Sequence, residues 1–391
     1  MDRKERLKLI VELEKARGSS VIVFFTGDRG PLTSSRIAED SVRPLYEHLL
    51  SLPEADPSKR KIDLFLYSRG GDVSVPWRII NMFREFCDEF CVLIPYKAHS
   101  AATMICLGSD RIVMGRKAEL GPIDPTLVKA TVADLTGPPP EISVEDVSSY
   151  ISFMKDRAGI SDQAAIAKVI SQLADHLTPL TLGSVNRQYS HIRLVARKLL
   201  TARKLKTDED RISAIIDALT EKMYSHGHAI GRKEAIELGL PVEKPEMATE
   251  SLIWELYKTY ETFLSLGDPM DPEEILTSKK ADEHVEENVP LAVIESVHKL
   301  HLFEYTISFN HKRNIPSNPQ INVNLQLQLP PGIDAQQLPA AAQQILTQMI
   351  QQISAAIPQI VQQELQRQSP VVGIEVKTYG GKWREKTNLP I

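Results

Sequence analysis

"KIDLFLYSRGGDVSVPWRIINMFREF", residues 61–86, decides how the chain is read. Its opening eight residues form an apolar run of the kind that builds a strand buried on both faces. Gly70 and Gly71 end the run, and "VPWRIINMFREF" then shows helical spacing, with its proline suited to a first turn. The same alternation repeats on either side. Upstream, "SSVIVFFTG" (19–27) reads as a buried strand and "EDSVRPLYEHLLSL" (39–52) as a helix. Downstream come a strand "FCVLIPYKA" (90–98), a helix "SAATMICLGS" (100–109), a strand "DRIVMG" (110–115) and a turn-rich "AELGPIDPT" (118–126). Strands alternating with helices predict an α/β fold with a parallel sheet covered by helices.

At 391 residues the chain exceeds one average core, so a large domain and a smaller one are expected. Hydrophobic residues make up 42% and charged residues 25%, the balance of a soluble globular protein. A net charge of −5 argues against a general nucleic-acid binder, which needs a basic surface to displace counterions. The three cysteines include no CxxC pair, which fits a reducing compartment and thiols used as small apolar side chains. "MDRKERLKLIVELEKARG" mixes charges among apolar residues and does not read as a signal peptide. The most apolar late stretch, "LPAAAQQILTQMIQQISAAIPQIV", is interrupted by glutamines and cannot span a membrane. A cytoplasmic protein without a membrane span is the expectation.

Beyond the loop around "TGPPPE", residues to about 245 read as helices, the last of them "RKEAIELGLPV", stopped by Gly239 with Pro241 beyond. Residues 246–289 give a further amphipathic helix, "ATESLIWELYKTYETFLSL", and an acidic linker that begins at "DPMDPEE". From 290 the chain changes character: strands at "LAVIES", "LHLFEYTISF" and "INVNLQLQL", a glutamine-rich helix from about Ala335 to Gln368 weakened by Pro358, and a last strand "VVGIEVKTY". The expected domains are therefore 1–245, a helix and linker over 246–289, and a small α+β module over 290–391 suited to oligomerisation or partner binding.

Two turns carry chemistry. In "LYSRGGDVS" two consecutive glycines let a substrate approach the backbone and aim N–H groups at a developing oxyanion. Read alone, the same residues make an ordinary strand-to-helix turn. Ser100 follows a strand and opens a helix, so it is either an N-cap or a nucleophile beside the positive end of the helix dipole. Both turns fall at the carboxyl ends of predicted parallel strands, where open α/β sheets place their sites.

The order strand–"SRGGD"–helix–strand–"AHSAATMICLGSD"–"IVMG"–"AELGPIDP", with "HGHAIGRKEAIELGLPV" (226–242) later, resembles the Clp and signal-peptide-peptidase-A superfamily of serine peptidases. Within it the chain is most similar to the serine dehydrogenase proteinase family. The resemblance covers roughly residues 20–245. It implies a ClpP/crotonase-like ββα superhelix, followed here by the helical extension and the small C-terminal α+β module. It also implies a homo-oligomer, usually ring-like, and a peptide or protein substrate with no cofactor. Ser100 would be the nucleophile, Gly71 and Ala101 the oxyanion donors, and Gly70 the residue that permits the turn. Arg69 and Ala102 stand where the family commonly has proline and glycine. The first leaves a charged side chain near the site, and the second narrows the cleft.

The base is less defined. A serine hydroxyl needs a neighbouring group to take its proton. The superfamily uses either histidine with aspartate or a desolvated lysine. Near "GPIDP" the chain has Asp124 and no histidine, so Asp124 is at most an orienting group, and an Asp-Pro turn also explains it. Lys155 lies 55 residues after Ser100 and is the lysine candidate, with an ordinary exposed lysine as the alternative. Lys97 and His99 flank the serine. His226 and His228 lack a third ligand at metal spacing, so no metal is expected. No Walker-type sequence is present, so an ATPase or adaptor would be a separate partner. Two rivals stay open: a non-catalytic scaffold with the peptidase fold, and acyl-CoA chemistry, which uses paired amides without a serine nucleophile.

Overall fold

The computed structural model describes residues 3–30, 33–54, 56–123, 126–127, 142–176, 179–221, 227–268, 270–314 and 339–387. Asp124, His226, the "TGPPPE" loop and the "INVNLQLQL" strand lie outside these residues. By compactness the chain forms two units, one of residues 1–270, 288–305 and 380–391, the other of 271–287 and 306–379. The segment expected as one module over 290–391 thus contributes both of its ends to the first unit.

The strands are β1 (Ser20–Thr26), β2 (Lys61–Tyr67), β3 (Glu89–Ile94), β4 (Lys97–Ala98), β5 (Arg111–Met114), β6 (Glu119–Leu120), β7 (Thr126–Leu127), β8 (Ile142–Ser143), β9 (Ile230–Gly231), β10 (Val242–Glu243), β11 (Glu283–Glu295), β12 (Leu300–Arg313) and β13 (Val371–Glu385). The main sheet of the first unit runs β10-β5-β3-β2-β1-β11-β12-β13, the last three strands entering it through residues 288–295, 300–305 and 380–385. From β10 to β1 every pairing is parallel. This is a mixed α/β architecture with a large, mostly parallel sheet.

Continuous apolar strands arise because both faces of the sheet are covered. Ile22 and Phe24 of β1 and Leu64 and Leu66 of β2 pack into one core with Leu45, Ile79, Phe83 and Ile105. Val21, Val23, Phe25 and Phe65 point the other way, onto Ile10, Leu13, Ile253, Leu256 and Tyr260. The first layer is built by α2 (Val42–Leu50), α3 (Val75–Arg84), α4 (Ala101–Leu107) and the helices Pro179–Thr201 and Glu209–Glu221. The second is built by α1 (Arg3–Arg17) and the Met247–Phe263 helix. The three cysteines are free and buried, as small apolar side chains.

Two departures from the sequence reading shape the site. The stretch 90–98 is not one strand. Pro95 has no N–H for the ladder, so β3 stops at Ile94 and β4 joins a separate three-stranded sheet, β4-β6-β9. On the other side of the main sheet, β11 pairs antiparallel with β1, Val23 opposite Glu295 and Thr26 opposite Ala292. Glu295 is fully buried there and is held by Arg6 Nε at 2.7 Å and by the Tyr260 hydroxyl at 2.7 Å.

The second unit holds a helix Pro272–Lys279, where a linker was expected, the remaining portions of β11, β12 and β13, and the glutamine-rich helix Ala340–Gln368. That helix continues through Pro358. Within this unit Arg313 and His311 both bond the Asp282 carboxylate.

Candidate active site

The end of β2 and the short β4 strand run side by side. Ser68 N–H donates to the Lys97 carbonyl at 3.0 Å, and His99 N–H donates to the Ser68 carbonyl at 3.0 Å. Immediately beyond, both chains turn. Ser100 takes φ 50 and ψ −116, a conformation that side-chain-bearing residues rarely adopt. Its carbonyl accepts the N–H of Met104 at 3.0 Å, so the residue does start α4. Its hydroxyl, however, makes no capping bond. The simple N-cap reading therefore lacks the interaction that would explain it.

Across from the serine, Gly70 has φ +112. A methyl group built there would lie 2.7 Å from Ser100 Cβ, 2.9 Å from the His99 carbonyl oxygen and 3.2 Å from Ser100 Oγ. Only glycine fits. The next residue is locked by a different neighbour: Ile37 N–H donates to the Gly70 carbonyl at 2.9 Å, and Asp72 N–H to the Ile37 carbonyl at 2.8 Å. A Cβ on Gly71 would fall 2.0 Å from that Ile37 oxygen. Among the described residues the N–H groups of Gly71 and Ala101 have no hydrogen-bond acceptor. One serine hydroxyl, a turn too tight for side chains and two unspent amides thus converge where β2 and β4 finish.

Ionisable side chains on the residues next to this turn pair with one another. His99 Nε2 meets Glu119 Oε1 at 3.2 Å, and Gly121 lies so close under the ring that an added Cβ would sit 3.1 Å from His99 Cγ. Burial pushes the His99 imidazole below its ordinary value, with Lys97 and Arg69 adding to the effect and Glu119 opposing it. Asp28 gathers the remaining groups: Tyr67 donates to it at 3.0 Å, Lys97 Nζ at 3.1 Å, and Arg69 stands 3.7 Å away.

A family model for ClpP-like, SDH-type serine proteinases matches residues 2–271. The chain belongs to that family. Two relatives of the chain are uncharacterized proteins of Methanocaldococcus jannaschii. One is 29% identical over 260 residues, 65% of this chain and 78% of the relative. The other is 24% identical over 244 residues, 61% of this chain and 71% of the relative.

The residues singled out from the sequence fare differently. Ser100, Gly70, Gly71 and Ala101 come together. Lys155 stands exposed on a π-helical turn, Phe153–Arg157, with no hydrogen bond or ion pair among the described residues. Asp124 lies outside those residues. His228 pairs with Glu234 at 2.9 Å. Among the described residues one group of potential ligands clusters: donor atoms of Glu47, His301 and Glu385 lie within 4.8 Å of one another. Its members already have partners: Glu47 bonds His301 Nε2 at 3.0 Å and Arg43 at 3.1 Å, and Glu385 bonds Lys299 at 2.6 Å.

Sequence reasoning missed Glu119, Asp28, Ser68 and Thr103. The Thr103 hydroxyl lies 2.7 Å from the Ala98 carbonyl and 2.8 Å from that of Gly121, and it accepts the Gly121 N–H at 3.1 Å. It thereby pins the start of α4 to the loop after β6. The one signal available for Glu119 was spacing: once β4 and β6 pair in parallel, Lys97 opposite Glu119, residues 97, 99 and 119 share a face.

Proposed function

We propose that the chain is a serine peptidase that cleaves peptide bonds through an acyl-enzyme on Ser100. The observation that supports this most is the serine itself, held at φ 50 against Gly70, with its hydroxyl bonded to nothing among the described residues. Strain of this kind is retained where the surrounding structure over-determines it, and it clusters at active sites. In the proposed reaction Ser100 Oγ bonds to the scissile carbonyl carbon while its proton passes to the base. The carbonyl oxygen becomes an oxyanion facing the N–H groups of Gly71 and Ala101, with Gly70 permitting the turn. The C–N bond then breaks and the amine leaves with the proton. Water repeats the sequence to release the acid.

Two candidates compete for the base. Family resemblance points to Lys155, with Asp124 as its orienting group. The structure adds His99: neutral near pH 7 because burial disfavours its charge, and oriented by Glu119 on one nitrogen, it has the state a general base needs. The finer features carried with this reading are a ββα superhelix, a ring-like homo-oligomer, a cytoplasmic location and a separate ATPase or adaptor partner.

The test is labelling of the purified chain with a fluorophosphonate, with the adduct mapped by mass spectrometry. The reading requires an adduct on Ser100 that vanishes, together with casein hydrolysis, in Ser100→Ala. Adduct formation in His99→Gln and in Lys155→Met then selects the base. The exposure of Lys155 favours one rival, the non-catalytic scaffold, and that rival wins if Ser100 takes no label.

A further inference from the structure

We propose that Ser68, braced by Thr26, is a positioning residue that aims the Gly71 N–H at the acyl oxygen; this rests on the serine-peptidase reading above. Ser68 and Thr26 expose 0% and 1% of their surface, so their hydroxyls have no water to turn to. A buried hydroxyl is tolerated only when bonded. The Ser68 oxygen accepts two bonds, from the Thr26 hydroxyl at 2.9 Å and from the Gly70 N–H at 3.0 Å, and its own proton faces the Gly70 carbonyl at 3.4 Å.

The consequence lies in the geometry of one peptide plane. The Gly71 N–H shares its plane with the Gly70 carbonyl, and in a trans peptide the two point in opposite directions. Ile37 N–H holds that carbonyl at 2.9 Å. Ser68 holds the N–H on the other side of Gly70. Together they fix both torsions of a residue that has no side chain to restrict them. Release of either grip lets the plane rotate, and a donor turned off line loses its bond steeply. Ser68 is suited to this task because its own backbone is pinned, through Lys97 and His99, to the strand that delivers Ser100. Thr26, the last residue of β1, ties the arrangement to the sheet. Nucleophile and oxyanion donor thus share one anchor.

The experiment uses the full chain and a fluorophosphonate probe, separating its binding constant KI from its phosphonylation rate constant kinact. In the labelling step Ser100 Oγ bonds to phosphorus, the P–F bond breaks, fluoride leaves and the hydroxyl proton passes through the base to solvent. The P=O oxygen occupies the place of the acyl oxygen. Loss of one complete oxyanion donor costs about 100- to 1,000-fold, so a misaimed one in Ser68→Ala should lower kinact by about 10- to 100-fold with KI unchanged. Thr26→Val should follow in the same direction, and Thr26→Ser, which keeps the hydroxyl, should restore kinact to within about 2-fold of the native chain. A purely structural role would lower the melting temperature of Thr26→Val and Thr26→Ser alike without separating their kinact values, and that result overturns the proposal. So does native kinact in Ser68→Ala, or a loss confined to KI. Absence of any adduct on Ser100 in the native chain instead removes the peptidase reading, and this inference with it.

Discussion

Replacement of Ser100 by glycine separates stability from activity in a direction that an N-cap would not allow. At φ 50 and ψ −116 the serine occupies a region where a side-chain-bearing residue is strained by about 1–3 kcal/mol. Glycine removes that strain but costs about 0.5–1 kcal/mol of extra unfolded-state entropy. The difference leaves Ser100→Gly more stable by about 1 kcal/mol, or roughly 2–4 °C in melting temperature for a domain of this size. Ser100→Ala is the control: it keeps Cβ, and because the hydroxyl caps nothing, its stability should stay within about 0.5 kcal/mol of the native chain. Both variants lose fluorophosphonate labelling. The assay is equilibrium urea unfolding of the three proteins side by side, followed by circular dichroism. If Ser100→Gly is less stable than Ser100→Ala, the backbone is not strained at this position. If Ser100→Ala alone loses the typical ~1 kcal/mol of a missing cap, the hydroxyl is a cap after all.

Three further outcomes follow from the same geometry. In Gly71→Ala the new methyl meets the Ile37 carbonyl at 2.0 Å, so the hydrogen bonds from Ile37 to Gly70 and from Asp72 to Ile37 must open; a loss of about 2–4 kcal/mol in urea unfolding, with faster amide exchange at Ile37 and Asp72, is expected. Glu295→Ala strands the buried Arg6 guanidinium and should cost about 3–5 kcal/mol, read from the unfolding midpoint. His48, buried beside His301, Lys299 and His298, is pushed down from 6.5 to about 3. The unfolded chain therefore takes up a proton that the folded one refuses, so this contribution is complete above about pH 6.5 and is lost as pH falls toward 3, on the order of 5 kcal/mol in all. His48→Gln should flatten the fall in stability over that window, measured by urea midpoints at successive pH values.

The parallel core was legible because its strands are apolar on both faces: "SSVIVFFTG" and "KIDLFLYS" send alternate residues into two different hydrophobic layers, so no polar face interrupts the run. The break at Pro95 was equally visible in principle, yet "FCVLIPYKA" reads as one apolar run unless the missing N–H is weighed. The pairing of β11 with β1 was hidden for another reason. Nothing in the 265 residues between Thr26 and Ala292 marks them as neighbours, because sheet pairing at long range depends on which edge is left open. The same limit concealed Glu119, which reaches His99 only after β4 and β6 are laid side by side, and Asp28, which meets Lys97 from the turn after β1. Ser68 was in plain sight inside "SRGGD", but its hydroxyl acquires a task only when Thr26 of β1 is seen to touch it.

Whether the turn at Ser100 is built for chemistry or for architecture can be weighed by what each would require. A helix start needs a side-chain acceptor for a free N–H, and Ser100 supplies none; a tight turn needs glycine at one position, and here two successive glycines are enforced by different neighbours, Ser100 on one side and Ile37 on the other. A half-buried histidine held by a glutamate adds a desolvation cost that neither a cap nor a turn explains. These features meet within a few residues of Ser100, and the strained serine and the desolvated imidazole each disfavour folding. Structural convenience accounts for them singly at best. A reacting carbonyl, as proposed above, would account for them together.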